Sequence, residues 1–175
     1  MLAANPANII GAIALVMTAV ALTRKSNRGL LAVLGTAVLL WALHYGLLGS
    51  LSGAAVHLIA AVSLYTAHFM QSASSLTRGG TGVAFSAAGV FSTWYFGEGL
   101  ADALAALGCV VITMTQFLGR GNTLRAGFMT GETLMFGFAA LVGSVPGVVV
   151  TASNFAAGAV GLVRRTRKRA MARAL

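Results

Sequence analysis

Few residues in this chain can do chemistry, and those few sit inside apolar runs. Glu132, in "MTGETLMFG", is the one acidic side chain well inside a hydrophobic segment. An ionised carboxylate at the centre of a membrane span costs about 3 kcal/mol or more. Its group must therefore keep its proton or face a polar cavity, and intramembrane ionisable groups are functional candidates by default. Asn154, in "TASNFAA", places an amide mid-segment, where it needs a partner. His57 and His44 lie about one turn from a glycine-rich break, "LHYGLLGSLSG". Trp41, His44 and Leu48 form an i, i+3, i+7 stripe, and His57, Leu64 and His68 share a second face. These residue types suit solute binding, gating or proton relay. Two histidines without a third ligand are weak evidence for a metal site, and neither a metal nor a cofactor is expected.

Each candidate has a plainer alternative. Glu132 and Asn154 can staple neighbouring helices, and His57 can hydrogen-bond between helices. His44 and Tyr45 can anchor at the interface, with Tyr45 better read that way. Trp94 and Tyr95 suit an aromatic belt. Glu98 and Asp102 suit a solvated turn. Gln116, near the end of its segment, is weakly informative. Cys109, the single cysteine, excludes an intrachain disulfide and reads as a packing residue. No phosphate-binding loop, nucleophile elbow or metalloprotease helix occurs, so no enzyme is expected.

The elements that must carry these residues follow from composition. Of 175 residues, 58% are hydrophobic and only 9% charged. A soluble domain has nearer a quarter charged, so the chain reads as an all-α integral membrane protein. Seven apolar segments run over 5–23, 29–48, 53–71, 82–97, 100–118, 124–143 and 147–163. Most approach the 17–25 residues a crossing needs; the fourth and seventh are short. The net charge of +9 comes from 12 Lys and Arg. All fall in alternate connections or the tail: 24, 25 and 28; 78; 120 and 125; and 164–173. With seven spans they share one side, which implies an outside N-terminus and a cytoplasmic C-terminus. The tail "RRTRKRAMARAL" reads as an anchor at anionic headgroups, and no nucleic-acid partner is expected. The first run has no basic residue before it, which reads as a retained helix.

Sliding the chain by 94 residues aligns 30–62 with 124–156, and nine positions match. About three would match by composition alone. The heart of the match is "LLGSLSG" against "LVGSVPG"; "GAIALVMT" (11–18) and "GCVVITMT" (108–115) extend it at an offset of 97. The plan is 3+1+3: a first three-helix repeat in 1–72, a linker and helix four in 73–99, and a second repeat in 100–163. The tail occupies 164–175. Both triplets begin outside, so the repeats are parallel. The stretch "SASSLTRGGTG" before helix four reads as a flexible linker.

This 3+1+3 plan is similar to the SWEET / PQ-loop (MtN3-like) superfamily. The stretch "WALHYGLLGSLSGAAVHLIAAV" (41–62) resembles the bacterial inner-membrane YgjV-like family. The resemblance implies a carrier fold, since SWEET relatives are sugar uniporters and the wider superfamily includes amino-acid and vitamin carriers and a receptor. A pocket asparagine on the third helix of each SWEET triplet corresponds to Asn154 in the second triplet and to Ala60 in the first. No Pro-Gln pair is present; Pro6 is the one proline near helix one.

The expectation is a small-solute carrier of the bacterial inner membrane working by alternating access. Its substrate-binding residues would be Glu132, Asn154, His57, Trp41 and His44. Its partners would be the lipid bilayer and a small polar solute, and a homo-oligomer is left open. The rival is a non-transporting membrane protein, a partner-binding or receptor-like subunit, with a closed, dry centre between the triplets.

Overall fold

The computed structural model describes residues 5–23, 27–97, 99–119, 122–156 and 159. They form seven helices and no strand. In order these are α1 (Pro6–Thr23), α2 (Asn27–Leu47), α3 (Leu51–Phe69), α4 (Ser75–Phe96), α5 (Leu100–Leu118) and α6 (Asn122–Leu141). The last is α7 (Val145–Ala156). The basic tail, Arg24, Lys25, Glu98 and Arg120 lie outside the described residues.

The surface is more apolar than that of a water-soluble bundle. Ile9, Ile13, Val16 and Val20 form an exposed stripe on α1, and Leu39, Leu43 and Leu47 one on α2. The fully or nearly buried positions include His44, Ser63, Thr113, Ser144 and Thr151. Large apolar groups outside, with small polar groups among the buried apolar ones, suit a lipid solvent, which gains nothing from hiding hydrocarbon. By length and hydropathy alone, Leu51–Phe69 and Leu100–Leu118 can cross a membrane; the apolar parts of α1, α2 and α7 are shorter. Seven segments were expected to do so. The polar Arg78, serines and glycines of α4, and Glu132 with Arg125 on α6, dilute the hydropathy of those helices.

Close approach uses small residues. Gly82 of α4 backs onto Met114 and Phe117 of α5, and Gly35 of α2 faces the Tyr65 ring of α3. A Cβ on Gly131 of α6 would lie 3.5 Å from the Gly108 carbonyl oxygen of α5. Helix α2 packs between α1 and α3; α4 covers α3 and α5; α5 packs on α6. The centre is a cluster of Ala14, Trp41, Tyr45, Ala105, Met135, Phe138 and Val150, drawn from α1, α2, α5, α6 and α7.

Two turns close one end of the bundle with the same hydrogen bonds. After α2, Ser50 N donates to Tyr45 O (3.0 Å) and Gly49 N to Gly46 O (3.1 Å). After α6, Ser144 N donates to Ala139 O (2.9 Å) and Gly143 N to Ala140 O (3.2 Å). Gly49 and Gly143 take φ of 81° and 75°, the left-handed cap for which glycine is favoured. Ser50 and Ser144 then cap the next helix by accepting from Gly53 N (3.2 Å) and Gly147 N (3.0 Å). The paired bonds are 94 residues apart, so the sequence echo is a geometric one. It extends to Thr36 and Thr130, whose hydroxyls each donate to the carbonyl four residues back at 3.1 Å.

Two local expectations are corrected. The Ser/Gly stretch before helix four is helix from Ser75, because Ser74 caps it by accepting from Thr77 N at 3.1 Å. Asp102 is half-buried, not solvated: it accepts from Ser52 Oγ and from Gly99 N, tying the starts of α3 and α5 together.

Candidate functional site

A cleft of about 110 Å³ lies where α1, α2, α3, α5, α6 and α7 converge. Trp41, His57, Glu132 and Asn154 all line it. Ala60 and Asn154, related by the 94-residue offset, both face it. Helix α6 brings Glu132 to the wall one turn before Met135 of the core cluster. Helix α7 brings Asn154, whose Nδ2 donates to Glu132 Oε1 at 3.1 Å. Both polar groups are half-buried, so the pair meets the cost of placing amide and carboxyl away from water.

His57 sits on α3 above this pair, and its Nδ1 lies 2.8 Å from Gly53 O. Trp41 on α2 donates from Nε1 to Thr18 Oγ1 (3.3 Å), and Thr18 donates on to Ala14 O (2.8 Å). The stripe expected from His57 and Leu64 reaches the cleft; His68 instead stacks edge-on against Phe69, with ring centroids 4.9 Å apart.

His44 is placed elsewhere. It is fully buried and does not line the cleft. Its Nδ1 lies 2.7 Å from Ala7 O on α1, and its Nε2 lies 2.7 Å from Ser144 Oγ at the start of α7. The imidazole thus joins three elements at the turn end. Gly11 makes room for it: a Cβ there would fall 2.8 Å from Nδ1. Tyr45, read from sequence as an interfacial anchor, is 2% exposed. Its ring packs between His57 (4.6 Å) and Phe138 (4.9 Å) and against His44 (5.0 Å). It therefore separates His44 from His57. Tyr45, Phe138 and His44 form an aromatic plug between the cleft and the turns.

Several lining residues escaped sequence reasoning. Gln116 donates from Nε2 to Ser63 Oγ at 2.7 Å, crossing from α5 to α3. Thr151 faces the cleft while donating to Gly147 O at 2.9 Å. Cys109, Thr113 and Gln116 fall at i, i+4 and i+7 on α5, a small-polar stripe whose spacing marks one face. Thr18 and Thr151 carry no such signal. Among the described residues no group of three His, Cys, Asp or Glu side chains could hold a metal ion.

The cleft can bind a small molecule through one carboxyl, two amides and an imidazole in an aromatic and aliphatic wall. Neither a curated protein nor a solved structure matches the chain significantly. A family model described as "Bacterial inner membrane protein" matches residues 6–169. That span takes in both turns, the aromatic plug and every residue of the cleft, and the chain therefore belongs to the Imp-YgjV family of bacterial inner membrane proteins.

Proposed function

We propose that this chain is a small-solute carrier, with the cleft as its substrate site and Glu132, Asn154, His57 and Trp41 as the residues that hold the solute. The observation that carries the reading is the cleft itself. It holds Glu132, the one carboxyl well inside an apolar segment, at the meeting of α1–α3 with α5–α7. The repeated turns support a 3+1+3 plan in which α1–α3 and α5–α7 are parallel units joined through α4. Ser52 of α3 and Asp102 of α5 meet at the turn end, as do Ala7, His44 and Ser144 of α1, α2 and α7. These contacts support two units that begin at the same end.

Alternating access then consists of rocking one unit against the other. The aromatic plug closes the turn side, and the cleft residues extend toward the opposite end as far as Leu34 and Gln116. With the N-terminus outside, the described conformation faces the cytoplasm. His44 takes the part of a latch between units, not of a solute ligand. An apolar cavity of about 150 Å³ accepts benzene, so a cleft of about 110 Å³ suits a compact solute better than a hexose.

The rival role, a partner-binding or receptor-like subunit, is favoured by one observation: Glu132 and Asn154 already hydrogen-bond each other across α6 and α7. Flux into proteoliposomes, screened over sugars, amino acids, amines and vitamins, separates the two. A carrier moves at least one class, and Glu132→Gln or Asn154→Ala reduces that flux. No flux for any class, with both variants merely less stable, supports the rival.

A further inference from the structure

The hydrogen-bonding groups around the cleft are one-sided. Most of its donors already have acceptors; the second amide hydrogens of Gln116 and Asn154 are the exceptions. Trp41 Nε1 donates to Thr18, Thr18 to Ala14 O, and Thr151 to Gly147 O. Gln116 Nε2 donates to Ser63, and Asn154 Nδ2 to Glu132 Oε1. The other groups left over are acceptors. Among the described residues Asn154 is the one hydrogen-bond partner of Glu132, which leaves Oε2. Gly53 O can only accept, so the His57 nitrogen facing it carries the proton, and the neutral ring offers Nε2 as a lone pair. Gln116 keeps its Oε1. Among the described residues no lysine or arginine lines the cleft, and the Trp41 and Tyr45 rings, 6.1 Å apart, form one wall.

We infer that the cleft takes a small primary ammonium on a short apolar body, with Glu132 as its counter-charge and Trp41 and Tyr45 as its aromatic wall; the inference rests on the cleft being the solute site of a carrier. An ammonium brings three donors and no acceptor, the complement of what the walls leave open. Cationic ligands gain from aromatic faces, most of all from tryptophan. A charged group in a span calls for an opposite charge beside it, and a cationic solute supplies it. An anion finds no cation and few open donors here. A sugar brings no charge to meet Glu132, and an amino acid brings a carboxylate with no cationic partner. The remaining wall, Leu34, Val38, Val56 and Ile112, is aliphatic and suits a short hydrocarbon body.

The test uses three probes of nearly equal shape: n-propylammonium, 1-propanol and propanoate. The chain has two tryptophans, Trp41 in the cleft and Trp94, which is 76% exposed. In full-length Trp94→Phe protein, Trp41 fluorescence therefore reports occupancy. The expected result is that propylammonium binds roughly ten- to a hundredfold more tightly than propanol, the range of a charge-assisted hydrogen bond, and that propanoate does not bind. Glu132→Gln brings ammonium and alcohol to within about twofold, while Glu132→Asp keeps a preference for the ammonium. The wild-type ranking needs no variant, so a folding failure in Glu132→Gln leaves the test standing. Equal binding of propanol, or binding of propanoate, overturns the inference, as does an undiminished ammonium preference in a folded Glu132→Gln. Flux of neutral solutes without ammonium preference also overturns it and leaves the carrier reading intact. Ammonium binding without flux of any solute upholds it and overturns the carrier reading.

Discussion

Replacing His44 by phenylalanine tests whether this histidine is a structural latch. The echo of the first repeat has Phe138 at the equivalent position, so the fold has already accommodated a phenyl ring there. His44 is fully buried and makes two contacts of 2.7 Å, to Ala7 O and to Ser144 Oγ. Interhelical hydrogen bonds within membranes average about 0.6 kcal/mol and reach about 1.7. His44→Phe keeps the ring and loses both bonds, so it should cost about 1–3 kcal/mol. His44→Ala also empties a buried ring site and should cost about 3–5 kcal/mol. The assay is equilibrium unfolding in mixed micelles, followed by circular dichroism. A double-mutant cycle of His44→Phe with Ser144→Ala isolates the pair. Ser144→Ala alone also removes the α7 cap, worth about 1 kcal/mol, but the cap cancels in the cycle. The expected coupling is about 0.6–1.7 kcal/mol. Wild-type stability in His44→Phe, with a coupling below about 0.3 kcal/mol, would refute the latch.

Other substitutions probe the turns and the helix contacts. Gly49→Ala and Gly143→Ala meet no atom within 4 Å but sit at positive φ, so each should lose about 1–2 kcal/mol from backbone strain alone. Gly80→Ala is the opposite case: it lies in α4 with open space around it and no positive φ, so the same assay should show a gain of about 0.5–1 kcal/mol. Gly131→Ala drives a methyl into Ile112 of α5 and should cost about 1–3 kcal/mol; unchanged unfolding there would mean that α5 and α6 are not held as closely as described. Asp102→Ala removes the acceptor for Ser52 Oγ and Gly99 N and should lower stability by about 1–2 kcal/mol, with Asp102→Asn recovering part of it.

Much of the framework was legible because it depends on local rules. A run of apolar residues long enough to span hydrocarbon must be helical, since no other open backbone satisfies its own hydrogen bonds there. The glycines at 49 and 143 and the serines that follow them marked both turns, because left-handed caps and N-caps demand those residue types at fixed spacing. Glu132 and Asn154 stood out as polar groups in apolar surroundings, and the structure places both on one cleft. Helix four was misjudged at its start because small residues were read as linker, when Ser74 begins a helix.

What the sequence could not decide is which polar side chain meets which. His44, Tyr45 and His57 lie within fourteen positions, and the two histidines looked equally placed for a site. A rotation of α2 by one residue, about 100°, separates a cleft-lining face from one buried against α1 and α7. That rotation is set by contacts with chain a hundred residues away, such as Ser144 Oγ on His44 Nε2. Gln116, near the end of its helix and unremarkable in sequence, lines the cleft and is tied to Ser63 on α3. The sequence determined the helices, their turns and the presence of an in-span carboxyl, all of them consequences of local periodicity and solvation. Tertiary packing decided the pairing of Glu132 with Asn154 and the division between a plug and a cleft, because both depend on how six helices converge.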